Sequence, residues 1–363
     1  MRLLSIYCLS LSLLLIQTST LATSRIINGS RAKLEDLPWM VAIIESNMPP
    51  IDGQFCGGTL IHPSWVLTAG HCTDRETPDT IEVVVGKNDL TQEDTGKIVK
   101  IKQIIRHPDY DYDPDNPASD MALLQLEEPV TQPILRVVDR YDELDKVGTL
   151  ATVIGWGATQ YSRSTSKPYD YSESLRQTTV PIVSNEICNI SYEGDVSNSM
   201  LCAGFADGRT DACVGDSGGP LIVETETGWQ QIGIVSWGEG CALPYYYGVY
   251  TRLTAFQEFI SGQLCETEEV LPRPQLEIKT RGQTVTASWS QIDNADGYQF
   301  YYAPYSYPMN EVTFDNIHSF DLGNQTDFGK TLGSKARFYI AVRAYQGNCY
   351  SPYSNIVVVI MDR

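Results

Sequence analysis

Apolar residues along this chain fall into short runs, and loops rich in glycine, proline, asparagine and aspartate separate them. Three such runs cover residues 39–44, 81–85 and 232–236. Short runs with many Val and Ile residues between turn residues are typical of β-strands. A helical pattern occurs at residues 253–264. The sequence therefore predicts an all-β protein in which this segment is the single helix.

The amino terminus has a different pattern. Arg2 precedes an almost wholly apolar run at residues 3–16, and small residues follow near position 22. This arrangement is typical of a secretory signal peptide at residues 1–22. The alternative, a membrane-spanning helix, needs about 20 apolar residues, and neither this run nor any later one is long enough. We expect a secreted, extracellular product, exported by way of the periplasm if the host has one, with no membrane attachment after signal removal.

Charge and cysteine content narrow the class of protein. The net charge is −19 and the isoelectric point about 4.5, which argues against a nucleic-acid partner. Nine cysteines become eight once Cys8 leaves with the signal peptide, and eight can all pair in an oxidising environment. The competing interpretation is reduced, metal-binding cysteines, but no Cys-x-x-Cys spacing is present. We expect no bound metal and no cofactor.

One stretch carries a candidate nucleophile. Residues 215–220 read Gly-Asp-Ser-Gly-Gly-Pro, which predicts a tight turn that exposes Ser217. Serine is a weak nucleophile at neutral pH and needs a base, a group that orients the base, and donors for the oxyanion that forms. Of the four histidines, His71 stands out because it follows an apolar run and precedes Cys72. Asp120, at the head of the apolar segment 121–126, is the candidate orienting acid.

His71, Asp120 and Ser217, in this order and with these flanking residues, resemble the catalytic triad of the trypsin/chymotrypsin family of serine endopeptidases. The resemblance covers about residues 26–264. It implies two six-stranded antiparallel β-barrels with the triad at their junction. It also implies an oxyanion hole formed by the backbone N–H groups of Gly215 and Ser217, and protein or peptide substrates.

The same resemblance implies activation by proteolysis. Residues 25–29 read Arg-Ile-Ile-Asn-Gly and resemble the junction that is cut in family zymogens. Cleavage after Arg25 would free the α-amino group of Ile26, which would pair with Asp216, since a buried charge needs a partner. If the signal peptide ends at Ala22, the propeptide is residues 23–25.

Disulfide pairing follows from the resemblance as well. It implies that Cys56 pairs with Cys72, Cys188 with Cys202, and Cys213 with Cys241. Cys265 and Cys349 then remain, and their pairing is a hypothesis by elimination only.

The family resemblance also implies a substrate pocket. Asp211 lies six residues before Ser217, where the family places the pocket floor. A buried carboxylate there attracts a cation and rejects apolar side chains. The resemblance assigns the pocket walls to the following residues: Ala212, Ser236, Trp237, Gly238 and Gly248. Ala212 replaces a serine that is common in trypsins, so a lysine ammonium loses a partner while guanidinium still binds Asp211 through two hydrogen bonds, and we expect Arg to be preferred over Lys.

Two ion sites of the family are in question. Lys87 stands where the family's calcium loop offers a carboxylate, so its ammonium can replace the ion despite Asp89, Glu93 and Asp94. Tyr247 stands where many trypsins have proline, and relatives with an aromatic residue there can bind sodium.

The composition changes after Cys265. Residues 265–274 contain an acidic run and a Pro-Arg-Pro sequence, which is typical of a stiff polar linker. Residues 275–363 contain alternating strand-like runs and resemble a fibronectin type III β-sandwich. The alternative to a protease is therefore a catalytically silent, protease-derived binding protein that acts through this tail. Proteinaceous inhibitors are a further class of partner to expect.

Overall fold

The computed structural model describes residues 26, 29–93, 95–111, 118–161, 169–265, 271–305 and 318–361. Strands make up most of its regular structure, which confirms the predicted all-β class. The predicted signal peptide, the propeptide with Arg25 and part of the predicted linker lie outside the described residues. Within them, no helix combines the length and the apolar character that crossing a bilayer requires.

The first barrel follows a short strand at the amino-terminal end. Its strands and that leading strand are β1 Ser30–Arg31, β2 Met40–Glu45, β3 Gln54–His62, β4 Trp65–Thr68, β5 Ile81–Val85, β6 Lys97–Arg106 and β7 Ala122–Leu126. Strands β2 to β7 close in the order β2-β3-β4-β7-β6-β5, and every pair is antiparallel. Five of the six residues of β2 are buried. Both faces of β2 therefore pack against protein, which explains its continuous apolar run.

The second barrel comes from the next part of the chain. The strands there are β8 Arg136–Val137, β9 Leu150–Gly155, β10 Ala158–Tyr161, β11 Tyr169–Tyr171, β12 Arg176–Val183, β13 Met200–Ala203, β14 Pro220–Thr225, β15 Gly228–Trp237 and β16 Gly248–Arg252. Six of them form the ring β9-β12-β13-β16-β15-β14, closed by pairing of β14 with β9. Strand β1 extends this sheet beside β12, so the amino-terminal end is held on the second barrel. The structure thus contains the two six-stranded barrels that the sequence resemblance implies.

Helices are short. They are α1 Pro50–Gly53, α2 Asn185–Cys188 and α3 Gln257–Leu264. The predicted helix at 253–264 therefore begins four residues late, because Leu253–Ala255 forms a separate 3₁₀ turn and Phe256 leaves helical geometry at φ −120° and ψ 15°. The ring of Phe256 packs edge-on against His107, with 5.0 Å between the ring centroids. Tertiary packing here outweighs helix propensity.

Two further sheets follow α3. Their strands are β17 Leu276–Arg281, β18 Thr284–Trp289, β19 Gly297–Pro304, β20 His318–Asp321, β21 Asp327–Thr331, β22 Arg337–Gln346, β23 Cys349–Tyr350 and β24 Val357–Ile360. Strands β17, β18 and β21 form a three-stranded sheet, and the other five form the second sheet. Apolar side chains from both sheets, including Trp289, Phe300 and Val342, form one core between them. We call these strands the C-terminal sheet pair.

The C-terminal sheet pair contacts the chain that connects the two barrels. The Asn348 side chain accepts a hydrogen bond from Val137 N at 2.8 Å and donates to the carbonyls of Ile61 and Leu135 at 2.7 and 3.1 Å. Arg136 forms an ion pair with Asp321. A disulfide joins Cys265, just after α3, to Cys349 on β23. This part of the chain is thus held to the barrels by buried polar contacts and by a covalent bond.

Candidate active site

The turn that carries Ser217 needs glycine at position 215. Gly215 has φ +93°, and a Cβ there would lie 3.1 Å from Gly157 Cα and 3.2 Å from the ring of Tyr171. Any other residue would be both strained and crowded. The turn is therefore tightly wound, and Ser217 at its centre is half-buried.

This turn belongs to the second barrel but docks on the first. Gly57 N on β3 donates to the Ser217 carbonyl at 2.7 Å. The Gln54 side chain, at the start of β3, donates to the Gly215 carbonyl at 2.9 Å. A Cβ on Gly218 would lie 3.2 Å from Ala69 N, two residues before His71. These contacts bring the Ser217 turn against the segment that carries His71.

His71 is held in place by its surroundings. It begins a 3₁₀ turn directly after β4, and the disulfide Cys56–Cys72 ties that turn to β3. Asp120 is buried, and one carboxylate oxygen accepts from His71 N while the other accepts from His71 Nδ1, both at 2.8 Å. The same second oxygen accepts from Ser236 Oγ at 2.5 Å. The imidazole is thus fixed in position and in orientation.

These contacts determine the proton state of the imidazole. Burial lowers the pKa of His71, but the hydrogen bond and negative charge of Asp120, with a smaller effect from Asp74, outweigh it and raise the pKa above its ordinary value. An ionised Asp120 can only accept, so Nδ1 carries the proton of the neutral ring. Nε2 is then left as the acceptor, which is the state that a general base requires.

A cavity of about 200 Å³ opens beside Ser217. Its walls contain the sequence-predicted pocket residues, which are Asp211, Ala212, Ser236, Trp237, Gly238 and Gly248. The disulfide Cys213–Cys241 also lies in this wall, while Cys188–Cys202 lies in a neighbouring apolar cluster. The predicted nucleophile and the predicted pocket residues therefore line one cavity.

Asp211 has an unusual environment in this cavity. Its side chain is buried, Oδ2 accepts from Ala242 N at 3.0 Å, and Oδ1 has no hydrogen-bond partner among the described residues. Burial raises the pKa of Asp211 to about 7, although backbone N–H groups of Ala242 and Ala212 counteract it. An unpaired buried carboxylate oxygen is energetically unfavourable until a donor reaches it.

Tyr250 and Gly248 complete the surroundings of Asp211. The Tyr250 hydroxyl, also in the cavity wall, is buried and has no partner among the described residues. A Cβ at Gly248 would lie 3.0 Å from Asp211 Oδ1 and 3.2 Å from the Tyr250 hydroxyl. The absence of a side chain at position 248 thus keeps both polar groups accessible.

Asp216 is the other buried acid beside the nucleophile. It is fully buried, and its carboxylate accepts from Gly157 N at 2.8 Å and from Cys213 N at 2.9 Å. Burial raises the pKa of Asp216 to about 6. Ile26 is also fully buried, whereas Arg25 lies outside the described residues. The carboxylate has two backbone donors and no ion pair within the described structure.

The two positions where the sequence raised the question of a calcium or a sodium site have different surroundings. Lys87 is buried, and its ammonium donates to the carbonyls of Gln92 and Thr95. A cation therefore already occupies the space between these carbonyls. Tyr247 is buried, and its carbonyl accepts from the Tyr192 hydroxyl at 2.7 Å. The sulfurs of Cys56 and Cys72 lie near His71, but they are joined in a disulfide and offer no thiolate to a metal.

Comparison with known proteins identifies the family. The family model described as Trypsin matches residues 26–260. The chain is 36% identical over 239 residues to a protein named Trypsin from Saccharopolyspora erythraea, which covers 66% of this chain and 98% of that protein. It is 38% identical over 251 residues to a protein named Tryptase from Mus musculus, which covers 65% of this chain and 87% of that protein. A two-barrel serine peptidase is thus the class, and the chain belongs to the trypsin family.

Several residues of this site were not found from the sequence. Gln54 contacts the Ser217 turn across 161 residues of chain, and Tyr250 lies in the cavity wall through the pairing of β13, β15 and β16. Neither residue stands in a motif. Gln54 and Tyr250 reach the site only because the barrels fold, so no short sequence pattern around either residue predicts its role.

Proposed function

We propose that this protein is a secreted endopeptidase, made as a zymogen, that hydrolyses peptide bonds after Arg and less efficiently after Lys. The observation that carries the proposal is the unpartnered Asp211 oxygen in the cavity that Ser217 also lines. A substrate cation would supply the missing donor and neutralise the buried charge. An apolar side chain would leave that charge desolvated and alone.

The triad residues take the following roles in this proposal. His71 Nε2 removes the proton from Ser217 Oγ as that oxygen attacks the carbonyl carbon of the scissile bond. Asp120, bonded to His71 Nδ1 at 2.8 Å, holds the ring and stabilises the imidazolium. The protonated His71 then donates to the leaving amine, and an acyl group remains on Ser217. Water, activated by His71, attacks this ester and releases the acid.

The oxyanion of each tetrahedral intermediate needs donors. We assign this role to the backbone N–H groups of Gly215 and Ser217, which belong to the same tight turn. Fixed donors of this kind typically contribute a factor of about 10² to 10³ in rate.

The preference for Arg over Lys rests on the cavity floor. Ala212 offers no hydroxyl to a lysine ammonium. A guanidinium has five N–H donors, enough for both oxygens of Asp211 and for the Tyr250 hydroxyl, which lies near Asp211 Oδ1 around Gly248 and also lacks a partner among the described residues. Kinetics on peptide pairs that differ only in that residue test this, and equal cleavage after Lys would contradict it.

Activation is proposed to occur by cleavage after Arg25. The full burial of Ile26 and of Asp216 supports this, because a new α-ammonium on Ile26 would give Asp216 the charge partner that it lacks. The turn around Gly215 would then be held more firmly.

We propose the following division of the chain: signal peptide 1–22, propeptide 23–25, protease domain 26–264, linker 265–274 and a fibronectin type III-like module 275–363. The module is supported by two antiparallel sheets that share one core. Export is supported by the four disulfides and by the family, whose members are commonly secreted. Proteinaceous inhibitors that present Arg or Lys are expected partners.

Labelling with a serine-directed fluorophosphonate tests the proposal. The protein processed after Arg25 should be labelled stoichiometrically at Ser217, and the Ser217→Ala and His71→Ala variants should not be labelled. His318→Ala is a control, because this histidine lies on β20 of the C-terminal sheet pair, where it contacts Glu143. Correctly processed protein that stays unlabelled would favour the silent binding protein. A peptide-library digest then measures the residue before each cleaved bond.

A further inference from the structure

Four successive backbone carbonyls of the Ser217 turn are each held by a hydrogen bond. Three of the four donors are backbone N–H groups. The exception is the Gly215 carbonyl, which accepts from the side chain of Gln54. The distances are 2.7 Å for Ala158 N to Val214 O, 2.9 Å for Gln54 Nε2 to Gly215 O, 2.9 Å for Gly219 N to Asp216 O, and 2.7 Å for Gly57 N to Ser217 O.

The direction of these carbonyls determines the direction of the N–H groups. In a trans peptide unit the C=O of one residue and the N–H of the next point in opposite directions, so holding one holds the other. The Gly215 carbonyl is thus paired with the Asp216 N–H, which donates to the Cys213 carbonyl at 3.0 Å. Gly215 joins two such peptide units, and glycine lacks the Cβ that would restrict rotation between them. The conformation of the Ser217 turn at Gly215 therefore depends on the contacts that hold these two units.

Gln54 is well placed to supply that contact. Its own backbone is fixed, since it begins β3 and pairs with Ile44 on β2. Its Nε2 donates to the Cys56 carbonyl at 3.2 Å as well as to Gly215, so both amide hydrogens are used. Because the Gln54 side chain bonds to both Cys56 on β3 and Gly215, it fixes the Ser217 turn relative to β3.

We propose that Gln54 is a positioning residue for the oxyanion donors of this enzyme. Through the Gly215 carbonyl it holds the peptide unit that links the two oxyanion donors. The Gly215 N–H belongs to the preceding unit, whose Val214 carbonyl accepts from Ala158 N, and the Ser217 N–H belongs to the following unit, whose Asp216 carbonyl accepts from Gly219 N. Gln54 thereby sets the orientation of the two N–H groups relative to each other. The inference rests on the proposed function, because it refines the geometry of the same site. It assigns this task to the first barrel, whose strand β3 contacts the turn through Gln54 at the Gly215 carbonyl and through Gly57 N at the Ser217 carbonyl.

The test compares Gln54→Met with Gln103→Met in the full processed chain. Methionine keeps the length of glutamine but has no donor, and Gln103 is an exposed residue of β6 where the same change should have no effect. We expect kcat/KM of the Gln54 variant to fall about tenfold, mostly in kcat. This is less than the factor of about 10² to 10³ for removing an oxyanion donor, because the N–H is misdirected rather than lost.

Two inhibitors separate positioning from a general effect on the fold. Benzamidine places a cation near Asp211 and forms no oxyanion, so its affinity should stay unchanged. A peptide aldehyde ending in arginine forms a tetrahedral adduct with Ser217, so its affinity should weaken about tenfold. Gln54→Glu should weaken the aldehyde at least as much, because its carboxylate would face the Gly215 carbonyl without a donor.

Other outcomes would overturn the inference. Aldehyde binding as tight as in the unaltered protein, in either Gln54 variant, means that the turn keeps its shape without this bond. Equal weakening of benzamidine and aldehyde means that Gln54 supports the pocket as a whole and does not direct the oxyanion donor. Failure of the proposed function is a separate result, since the unaltered protein would then not react with a serine-directed reagent.

Discussion

Buried acids occur in two regions of this molecule, and the two regions differ in the hydrogen-bond donors that they offer to the carboxylates. Asp211 lies in the cavity beside Ser217, where its Oδ1 has no donor within the described structure. Asp142 lies between the second barrel and the C-terminal sheet pair, where its Oδ1 accepts from Ser319 Oγ and Gln299 Nε2, both at 2.6 Å. Burial raises the pKa of each to about 7, and for Asp142 the charge of Asp139 adds to it.

The comparison shows that a raised pKa does not distinguish a binding site from a structural contact. Asp142 and Asp211 are similarly buried and have similar pKa values. Only Asp211 has a buried carboxylate oxygen without a hydrogen-bond partner among the described residues. At the interface, Asp139 likewise accepts from the Tyr301 hydroxyl at 3.0 Å and from Ser319 at 3.3 Å. Unpaired polar atoms beside a cavity are thus the stronger indication of a ligand.

The largest expected effect comes from removing the unpaired acid. In Asp211→Ser we expect kcat/KM for arginine peptides to fall about 10³-fold, or about 4 kcal/mol, because the substrate cation would be buried without its partner. The matched control is Asp207→Ser, an exposed acid paired with Arg209. Its kcat/KM should stay within about twofold. A similar loss in both variants would mean that Asp211 acts through general charge and not through the pocket.

The covalent link at the interface should have the next largest effect. Replacing Cys265 and Cys349 with serine opens a bridge that spans 84 residues, and loss of such a bridge typically reduces the free energy of unfolding by about 3 to 4 kcal/mol. Urea unfolding measures this. Because the bridge lies away from the cavity, kcat/KM should be unchanged. Unaltered stability would show that the polar contacts hold the interface alone.

The buried acid Asp142, which lies between the second barrel and the C-terminal sheet pair, predicts that the free energy of unfolding depends on pH. Folding raises the pKa of Asp142 to about 7, so its contribution is complete below the pKa of the unfolded chain and is lost as pH rises through about 7. The slope from this group is at most about 1.4 kcal/mol per pH unit.

Asp142→Asn should remove this part of the slope, because an amide resembles the protonated acid. The charged groups that affect the pKa of Asp142 are Asp139, Arg136 and Asp321, and they remain in the variant. Free energies of unfolding at pH 5 and pH 8 measure the difference between the two proteins. Parallel profiles for the two proteins would show that Asp142 titrates normally.

The smallest effect on the free energy of unfolding is expected from removing a single hydrogen-bond donor. Tyr301 is fully buried, and Tyr301→Phe removes its hydrogen bond to Asp139. We expect a loss of about 1 kcal/mol in the free energy of unfolding. Tyr305→Phe is the control, since Tyr305 stacks on Tyr339 with 5.2 Å between the ring centroids. An equal loss in the control would show that removal of a tyrosine hydroxyl in general, and not of the bond to Asp139, accounts for the effect.

The sequence predicted what short-range patterns determine. The all-β class followed from its apolar runs, and the predicted strand 81–85 coincides with β5. The start of α3 was missed because the contact of Phe256 with His107 joins residues far apart in the chain. Gln54, Tyr250 and the Asp139–Asp142–Ser319 cluster were missed for the same reason. Their chemistry arises only where distant segments meet, and no spacing along the chain encodes it.

The bond between Cys265 and Cys349 has one more consequence. If the proposed cleavage after Arg and Lys holds, exposed basic residues make each molecule a substrate for other copies of this protease. A backbone break anywhere between these two cysteines would leave both fragments attached, so nicked and intact molecules would migrate together on a gel until a reducing agent is added. Self-digestion in this part of the chain would thus create a two-chain form without shedding the tail.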